Sequence, residues 1–238
     1  MGFTILFNSR GRVSLLKEML ESIEKTAFNL DEIEVLVNFD NDDYESLQNL
    51  PSIKARFPFM QEFVNPRELN IHVHVNKMAL RAKGEYIWAL GDDCHIQTMH
   101  WDKIAQDKFE EYFVDHPDRI AMGAVESTSV DKNTNHIWYT DAPILTREGR
   151  DALGFLIHPH FISLGADVAT YLIYHSVGRI IDMKEIMFDH VTHNTVQKVI
   201  NPDRTAAEYR QRQGLVQAVD PWNHDYSADI DRIRTHIQ

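Results

Sequence analysis

The 238-residue sequence contains a single cysteine, Cys94, and little positive charge. Its 24 Lys and Arg stand against 36 Asp and Glu, so the formal net charge is −12 with all 13 His neutral. One cysteine excludes an internal disulfide framework and a zinc site built of several thiolates. Binding to phosphate backbones needs clustered positive charge, so we expect no nucleic-acid partner. The lone thiol favours a reducing compartment, and we expect a cytoplasmic protein.

Long apolar runs and glycine-rich loops are also lacking. No stretch approaches the roughly 18 consecutive apolar residues that span a bilayer, so we expect no transmembrane segment. The first residues lack the basic start and long apolar middle of a signal peptide, and they predict a strand instead. The turn after that strand holds one glycine, Gly11. This excludes the dinucleotide-binding fingerprint and the P-loop.

Apolar runs alternate with amphipathic stretches over most of the chain. The runs at residues 3–7 and 33–39 enclose a helical pattern at 13–23, which predicts two parallel strands joined by a helix. Further strands are predicted at 69–75, 85–90, 120–126 and 144–146, and helices at 78–83, 101–113 and 164–177. This alternation predicts the α/β class, as an α/β/α sandwich with a mostly parallel central sheet.

The character of the sequence changes after Asn201 and Pro202. Residues 203–217 form a charged helical stretch, and residues 220–238 are polar with a weak final helix. We therefore predict one domain over residues 1–200. The remainder, residues 201–238, is predicted to be a C-terminal helical tail that packs on the domain or on a partner.

Polar clusters follow three of the predicted strands, at residues 8–12, 40–43 and 91–93. One such cluster alone would indicate only a surface turn, because Asp, Asn and Gly favour turns. In an open parallel sheet, however, ligands bind beyond the carboxyl ends of the strands, so three clusters at one edge favour a ligand crevice. Arg10 and Arg12 either grip a diphosphate with their guanidinium groups or lie in a solvated loop.

The acidic pair Asp92 and Asp93 directly follows an apolar strand. Two adjacent carboxylates at the rim of a dry core repel each other, and a divalent cation with oxygen ligands relieves that repulsion. The plainer alternative is that one Asp forms a turn or caps a helix. His190 and His193 either complete a mixed oxygen and nitrogen site suited to Mn²⁺ or Mg²⁺, or are ordinary surface or core imidazoles.

Other histidines and one aspartate have two interpretations each. His72 and His74 fit an exposed strand face better than a metal site, whereas His158 and His160 precede a helix and are candidates for the wall of the crevice. Asp167 lies where a glycine gives way to an apolar helix. It is either an N-cap or a general base at the edge of a pocket.

Together these segments resemble the nucleotide-sugar-dependent glycosyltransferases of the GT-A fold, especially the family 2 type, from about residue 3 to residue 193. Residues 83–93, K-G-E-Y-I-W-A-L-G-D-D, are similar to the segment that leads into the D-x-D metal motif, with Gly91 in place of the first Asp. Residues 4–12 look like the opening nucleotide-binding segment of the family. Asp40 matches the acidic residue that contacts the base, and Asp167 matches the catalytic acidic residue.

The resemblance implies a Rossmann-like GT-A sandwich and a complete set of site residues. Asp167 would be catalytic, and a Mn²⁺ or Mg²⁺ ion would be held by Asp93, Asp92, His190 and His193. The nucleotide-sugar-binding residues would be Asn8, Ser9, Arg10, Arg12, Asp40, Asp42, Arg81, Lys83 and Asp92. The donor would be a UDP- or GDP-linked sugar. The acceptor would be a hydroxyl of a glycan, a lipid-linked molecule or another compound, attacked with inversion.

Two other functions remain open at the level of sequence. A nucleotidyltransferase on a similar sheet would also place a metal between carboxylates, and the segment from Arg10 to Arg12 is a thin version of the basic glycine-rich loop such enzymes carry. A nucleotide-sugar-binding module without activity is favoured by the missing first Asp of the D-x-D triplet.

Overall fold

The computed structural model describes residues 2–68, 70–128, 140–161, 165–191 and 221–237. Its strands are β1 Phe3–Ser9, β2 Ile33–Asp40, β3 Met60–Asn65, β4 Tyr86–Ala89, β5 Cys94–Ile96, β6 Met122–Ser127, β7 Ile144–Thr146 and β8 Ile180–His190. Its helices are α1 Val13–Thr26, α2 Tyr44–Arg56, α3 His72–Ala79, α4 Trp101–Phe113, α5 Arg147–Leu153, α6 Ala166–Ser176 and α7 Ser227–Arg234. Short 3₁₀ turns occupy Leu30–Glu32 and Pro221–Asn223.

In the described part of the chain, eight strands form one sheet in the order β3-β2-β1-β4-β7-β6-β8-β5. Pairs β1/β2, β2/β3, β1/β4 and β6/β8 are parallel, whereas β7 and β5 run antiparallel to their neighbours. Six strands therefore share one direction. The predicted α/β class with a mostly parallel sheet is confirmed. The strand predicted at 144–146 forms as β7, but its reversed direction was not predicted, and β5 was not predicted as a strand.

The first strand, helix and second strand form as predicted. The apolar positions of α1, Leu16, Met19, Leu20 and Ile23, are fully buried, because they recur on one helical face. Residue Leu6 of β1 pairs with residues of both β2 and β4. This register brings the carboxyl ends of the three strands to one edge of the sheet, which is called the carboxyl edge below.

Alternate residues of β1 enter two separate apolar layers, because successive side chains of a strand point to opposite faces. Ile5 and Phe7 join the layer that contains Trp88 and Trp101 and is covered by α1, α2 and α4. Leu6 joins the layer of Ile87, which is covered by α3, α5 and α6. The central strands are consequently buried on both faces, as parallel sheets require.

The predicted strand at 69–75 is wrong, and so are the bounds of the predicted helix at 78–83. Residues from His72 to Ala79 form α3, and residue 69 lies outside the described residues. His72, Val75, Met78 and Ala79 are all buried, which is the spacing of a helical face. The strand of this region is β3, whose sequence M-Q-E-F-V-N is half polar because it lies at the sheet edge.

The described end of the chain packs on the layer formed by α5 and α6. Tyr226 and Ile233 are buried in that layer, and Arg232 donates to the carbonyl of Leu153 at 3.0 Å. The predicted helical stretch at 203–217 lies outside the described residues, and the domain boundary after residue 200 stays a prediction. None of the helices that the structure describes is long and apolar enough to cross a membrane.

Gly84 lies where the turn before β4 crosses the start of β1. Its N–H donates to the Thr4 hydroxyl at 2.9 Å, and that hydroxyl donates to the buried Glu34 carboxylate at 2.8 Å. A Cβ at position 84 would overlap the backbone of Phe3 and Thr4, which cannot move without disturbing the strand.

We therefore expect Gly84→Ala to lower the free energy of unfolding by about 2 kcal/mol, the usual cost of overpacking a rigid site. Urea unfolding followed by circular dichroism measures the change. Gly2→Ala is the matched control, because a Cβ there meets its nearest atoms at 3.7 Å, an ordinary contact. Equal stability of the two variants would contradict this account of the crossing.

Candidate active site

The strand directions bring residues from distant parts of the chain to the carboxyl edge. β1, β2, β4 and β8 all end there, while β7, which runs in the opposite direction, begins there. The polar clusters at 8–12, 40–43 and 91–93 therefore meet, as predicted from their positions after strands. Asp141 just before β7 joins the same edge.

Asp92 is the most buried group of the site, with no exposed surface. It accepts a hydrogen bond from the Ser9 hydroxyl at 2.8 Å and pairs through its other oxygen with Arg12. Burial raises the pKa of Asp92 to about 7, and the charge of Asp93 raises it further, whereas Arg12 and Ser9 lower it. Ser9 and Arg12, at the end of β1 and in the turn after it, thus offset the negative charge of Asp92.

Asp93 lies beside His190, as predicted for a metal site. Its carboxylate oxygen is 3.5 Å from His190 Nε2, and its carbonyl accepts from the N–H of Val191 at 3.0 Å. These contacts follow from the antiparallel pairing of β5 and β8, which sets Cys94 opposite His190. His193 lies outside the described residues, so its predicted part in the metal site stays a prediction.

The possible ligand atoms of Asp93, Cys94 and His190 all lie within 4.8 Å of one another. Burial raises the pKa of the Cys94 thiol well above its usual value, and the nearby carboxylates raise it too. The thiol is therefore protonated at neutral pH, and its sulfur accepts from the N–H of Gly91 at 3.4 Å. The oxygen of Asp93 and the nitrogen of His190 are the donors that suit Mn²⁺ or Mg²⁺.

Gly91 begins the turn that carries Asp92 and Asp93. A Cβ at this position would overlap the Asp93 carboxylate oxygen. The glycine therefore lets the Asp93 side chain fold back against the turn, toward His190.

Arg10 links the loop after β1 to the loop after β2. It donates to Asp40 at 3.2 Å and to Asp42 through both terminal nitrogens. Burial raises the pKa of Asp40 in spite of Arg10, whereas the hydrogen bond from Arg10 lowers that of Asp42. The N–H of Gly11 donates to Asp43 at 2.9 Å, and Asp43 caps α2. These bonds tie the two loops together at the carboxyl edge.

Asn8 is part of the same edge, but Lys83 is not. The Asn8 amide donates to the carbonyl of Ile71 at 2.6 Å, which anchors the start of α3 there. The N–H of Lys83 donates at 2.9 Å to Glu34, at the opposite end of β2. Arg81 precedes it by two residues and stacks on the ring of Phe63 at 5.3 Å. Since Phe63 is in register with Asn38 and Asn8, the predicted nucleotide-sugar-binding role of Arg81 stays a prediction, whereas Lys83 does not lie at the carboxyl edge.

Asp167 is the second residue of α6, whose N-cap residue Gly165 has the left-handed conformation with φ of 89°. Burial raises the pKa of Asp167 to about 6, and the charge of Asp141 raises it too. A hydrogen bond from the N–H of Val168 acts in the opposite direction. Since α6 leads from the carboxyl edge to the start of β8, the carboxylate faces the same edge as Asp93.

Asp141 is the residue that the sequence reasoning missed. Its charge raises the pKa of both Asp167 and Cys94, so it lies near both residues. The indole of Trp88 donates to the carbonyl of Ala142 at 2.8 Å and fixes this segment over β4. The sequence carried no signal for it, because Asp141 precedes a strand and lies at the carboxyl edge only because β7 runs antiparallel to its neighbours.

The other histidine pairs serve the fold. His72 and His74 are buried in α3, and the His74 ring contacts the carbonyl of Pro66 at 2.8 Å. His158 contacts the Asp229 carboxylate of α7 at 3.1 Å, and its ring packs among those of His160 and His224. These contacts hold the described end of the chain beside the start of α6.

Residues 4–164 match the family model of Glycosyl transferase family 2. Similar structures include TarS 1-349 from S. aureus in complex with UDP-GlcNAc, with a TM-score of 0.60 and 14% identity over 79% of this chain and 58% of that chain. Mannosyltransferase PcManGT from Pyrobaculum calidifontis has a TM-score of 0.58 and 14% identity over 98% of this chain and 69% of that chain.

GalNAc-T7 has a TM-score of 0.60 and 13% identity over 99% of this chain and 54% of that chain. The chain thus spans little more than half the length of the GalNAc-T7 chain and of the TarS 1-349 chain in complex with UDP-GlcNAc. No curated protein sequence matches it. At these identities the structures share a fold, the GT-A glycosyltransferase fold, while the family match covers well over half of the sequence. The chain belongs to glycosyl transferase family 2.

Proposed function

We propose that this glycosyltransferase moves a sugar from a nucleoside-diphosphate donor to an acceptor hydroxyl, with inversion at the anomeric carbon. The observation that carries the proposal is the contact between Asp93 and His190 at 3.5 Å, at the edge that also holds Arg12. The carboxylate oxygen and the imidazole nitrogen suit a divalent cation, and the guanidinium group suits the negative charge of a departing diphosphate.

The similar structures support the choice of donor. TarS 1-349 is in complex with UDP-GlcNAc, PcManGT with GDP-Man and Mn²⁺, and GalNAc-T7 with UDP, GalNAc and Mn²⁺. We propose a UDP- or GDP-linked sugar for this chain. The loops joined by Arg10, Asp40 and Asp42 would hold the nucleoside, because they lie at the carboxyl edge, far along the sheet from His190.

Asp93 and His190 would hold a divalent cation, Mn²⁺ or Mg²⁺. When bound, such an ion neutralises the charge that develops on the leaving diphosphate. Asp92 would act behind Asp93, because its carboxylate is fully buried and already contacts Ser9 and Arg12.

Asp167 would be the general base. An acceptor hydroxyl oxygen forms the new bond to the anomeric carbon while the bond from that carbon to the diphosphate oxygen breaks, and the nucleoside diphosphate leaves with the electron pair. Asp167 takes the hydroxyl proton. Attack from the face opposite the leaving group inverts the anomeric carbon. A carboxylate whose pKa is raised to about 6 is a stronger base than an ordinary Asp and is still ionised at neutral pH.

We expect Asp167→Asn to lower the rate of sugar transfer by about 10²–10⁴-fold and to leave nucleotide affinity unchanged, because only the proton acceptor is lost. Incubation with UDP- and GDP-sugars, acceptors and Mn²⁺ measures transfer, and calorimetry measures nucleotide binding. Asp107→Asn, a change of an exposed carboxylate on α4, is the control.

Other outcomes of these incubations would favour other functions. Normal transfer by Asp167→Asn would remove the residue from the role of base. Pyrophosphate release from a nucleoside triphosphate and a sugar phosphate would indicate a nucleotidyltransferase. Tight nucleotide-sugar binding with neither hydrolysis nor transfer would indicate a binding module, in agreement with the missing carboxylate at Gly91.

The pH dependence of transfer should report the ionisation of the base. Because Asp167 must be deprotonated, we expect kcat/KM to fall about tenfold per pH unit below about 6 and to level off above it. Initial rates between pH 4.5 and 8 at low donor concentration measure the profile. An acid limb centred near pH 4 would contradict a raised pKa for the base.

The same carboxylate should destabilise the folded protein. Its folded pKa of about 6 exceeds the unfolded value of about 3.9, so the folded state binds more protons between these values and wild-type stability falls as pH rises through them. Asp167→Asn should therefore raise the free energy of unfolding by about 1 kcal/mol at pH 7.5. Urea unfolding at pH 7.5 and 4.5 checks this, and an equal effect at both pH values would contradict it.

A further inference from the structure

Arg12 lies between the two carboxylates of the turn after β4. One terminal nitrogen pairs with Asp92, and the other is 3.4 Å from Asp93. Asp92 is fully buried, Asp93 is 6% exposed, and the Arg12 side chain is 21% exposed. A permanent positive charge therefore contacts the carboxylate that, with His190, offers the donors of the proposed cation site.

The backbone of Arg12 is held in place, but this does not fix the position of its guanidinium group. The Arg12 carbonyl accepts from the N–H of Leu16 at 3.0 Å, which anchors the residue at the start of α1. Its side chain crosses the crevice to Asp92 and Asp93. Arg10, two residues earlier in the same loop, turns the other way to Asp40 and Asp42. The two arginines therefore serve separate pairs of carboxylates.

A guanidinium and a divalent cation at the same carboxylate repel each other. Near a buried pair this repulsion is weakly screened, so Arg12 in its observed place opposes binding of the cation. A diphosphate changes the balance, because its oxygens accept the paired N–H groups of an arginine and carry the opposite charge. The nucleotide therefore offers Arg12 a partner outside the carboxylate pair.

We propose that Arg12 couples metal binding to nucleotide binding: in the free protein it takes the counter-ion position at Asp92 and Asp93, and with donor bound its guanidinium contacts the diphosphate and leaves Asp93 to the cation. The inference rests on the proposed function and adds to it a coupling between the two ligands. Because coupling between two ligands is reciprocal, each must raise the affinity of the protein for the other by the same factor.

The test is a titration with Mn²⁺, in which electron paramagnetic resonance counts the free ion, with and without UDP or GDP. We expect Arg12→Gln to bind Mn²⁺ about tenfold more tightly than wild type in the absence of nucleotide, a difference of about 1.4 kcal/mol. After correction for the Mn²⁺ that binds free nucleotide in solution, nucleotide should raise the affinity of wild type for Mn²⁺ at least tenfold. In Arg12→Gln the increase should be smaller.

Two further variants separate charge from position. Arg12→Lys keeps the charge, so its affinity for Mn²⁺ without nucleotide should stay close to that of wild type. Arg10→Gln removes an equal charge from the same loop but from a different carboxylate pair, and it too should leave the affinity for Mn²⁺ without nucleotide near the wild-type value.

Equal or weaker Mn²⁺ binding by Arg12→Gln, with Mn²⁺ bound by wild type, would overturn the inference and leave the proposed function standing. Absence of Mn²⁺ binding by wild type with either nucleotide would instead refute the metal site of the proposed function. If Arg12→Gln does not fold, the Mn²⁺ titration of wild type with and without nucleotide tests the coupling. Independent binding of Mn²⁺ and nucleotide would overturn it.

Discussion

The site depends on the neutralisation of two carboxylates that the fold places at the rim of its dry interior. β4 is apolar, so the turn that follows it delivers Asp92 and Asp93 where water is scarce. Buried carboxylates are costly unless opposite charges and hydrogen bonds accompany them. Arg12 comes from the turn after β1 and His190 from the end of β8. The order of the strands in the sheet thus brings these four charged or ionisable side chains together.

The negative charges of the buried carboxylates are only partly neutralised by the protein. Such a site suits a reaction that creates charge. Burial raises the pKa of Asp92 to about 7 and that of Asp167 to about 6. Such groups reduce the stability of the folded chain, a usual property of functional sites. The cluster is therefore best completed by ligands from outside, a cation for Asp93 and an anion for Arg12.

Sequence periodicity predicted those parts of the fold whose burial is continuous, such as β1, α1 and α4. Asp93 and His190 were predicted as partners from their side-chain chemistry and the family resemblance, although β8, which ends at His190, was not predicted as a strand. β3 was not, since an edge strand such as M-Q-E-F-V-N carries no apolar run. The place of Lys83 depends on its bond to Glu34, and that of Asp141 on the reversed direction of β7. Such tertiary contacts leave no periodic signal in a single sequence.

The central claim is that a divalent cation and a nucleoside diphosphate share the pocket bounded by Asp93, His190 and Arg12. Crystals grown with Mn²⁺ and UDP or GDP, measured at the manganese absorption edge, test it most directly. The account predicts an anomalous peak in contact with Asp93 and His190, with the Arg12 guanidinium turned to the phosphates. A bound nucleotide whose manganese peak lies away from both residues, or is absent, would contradict it.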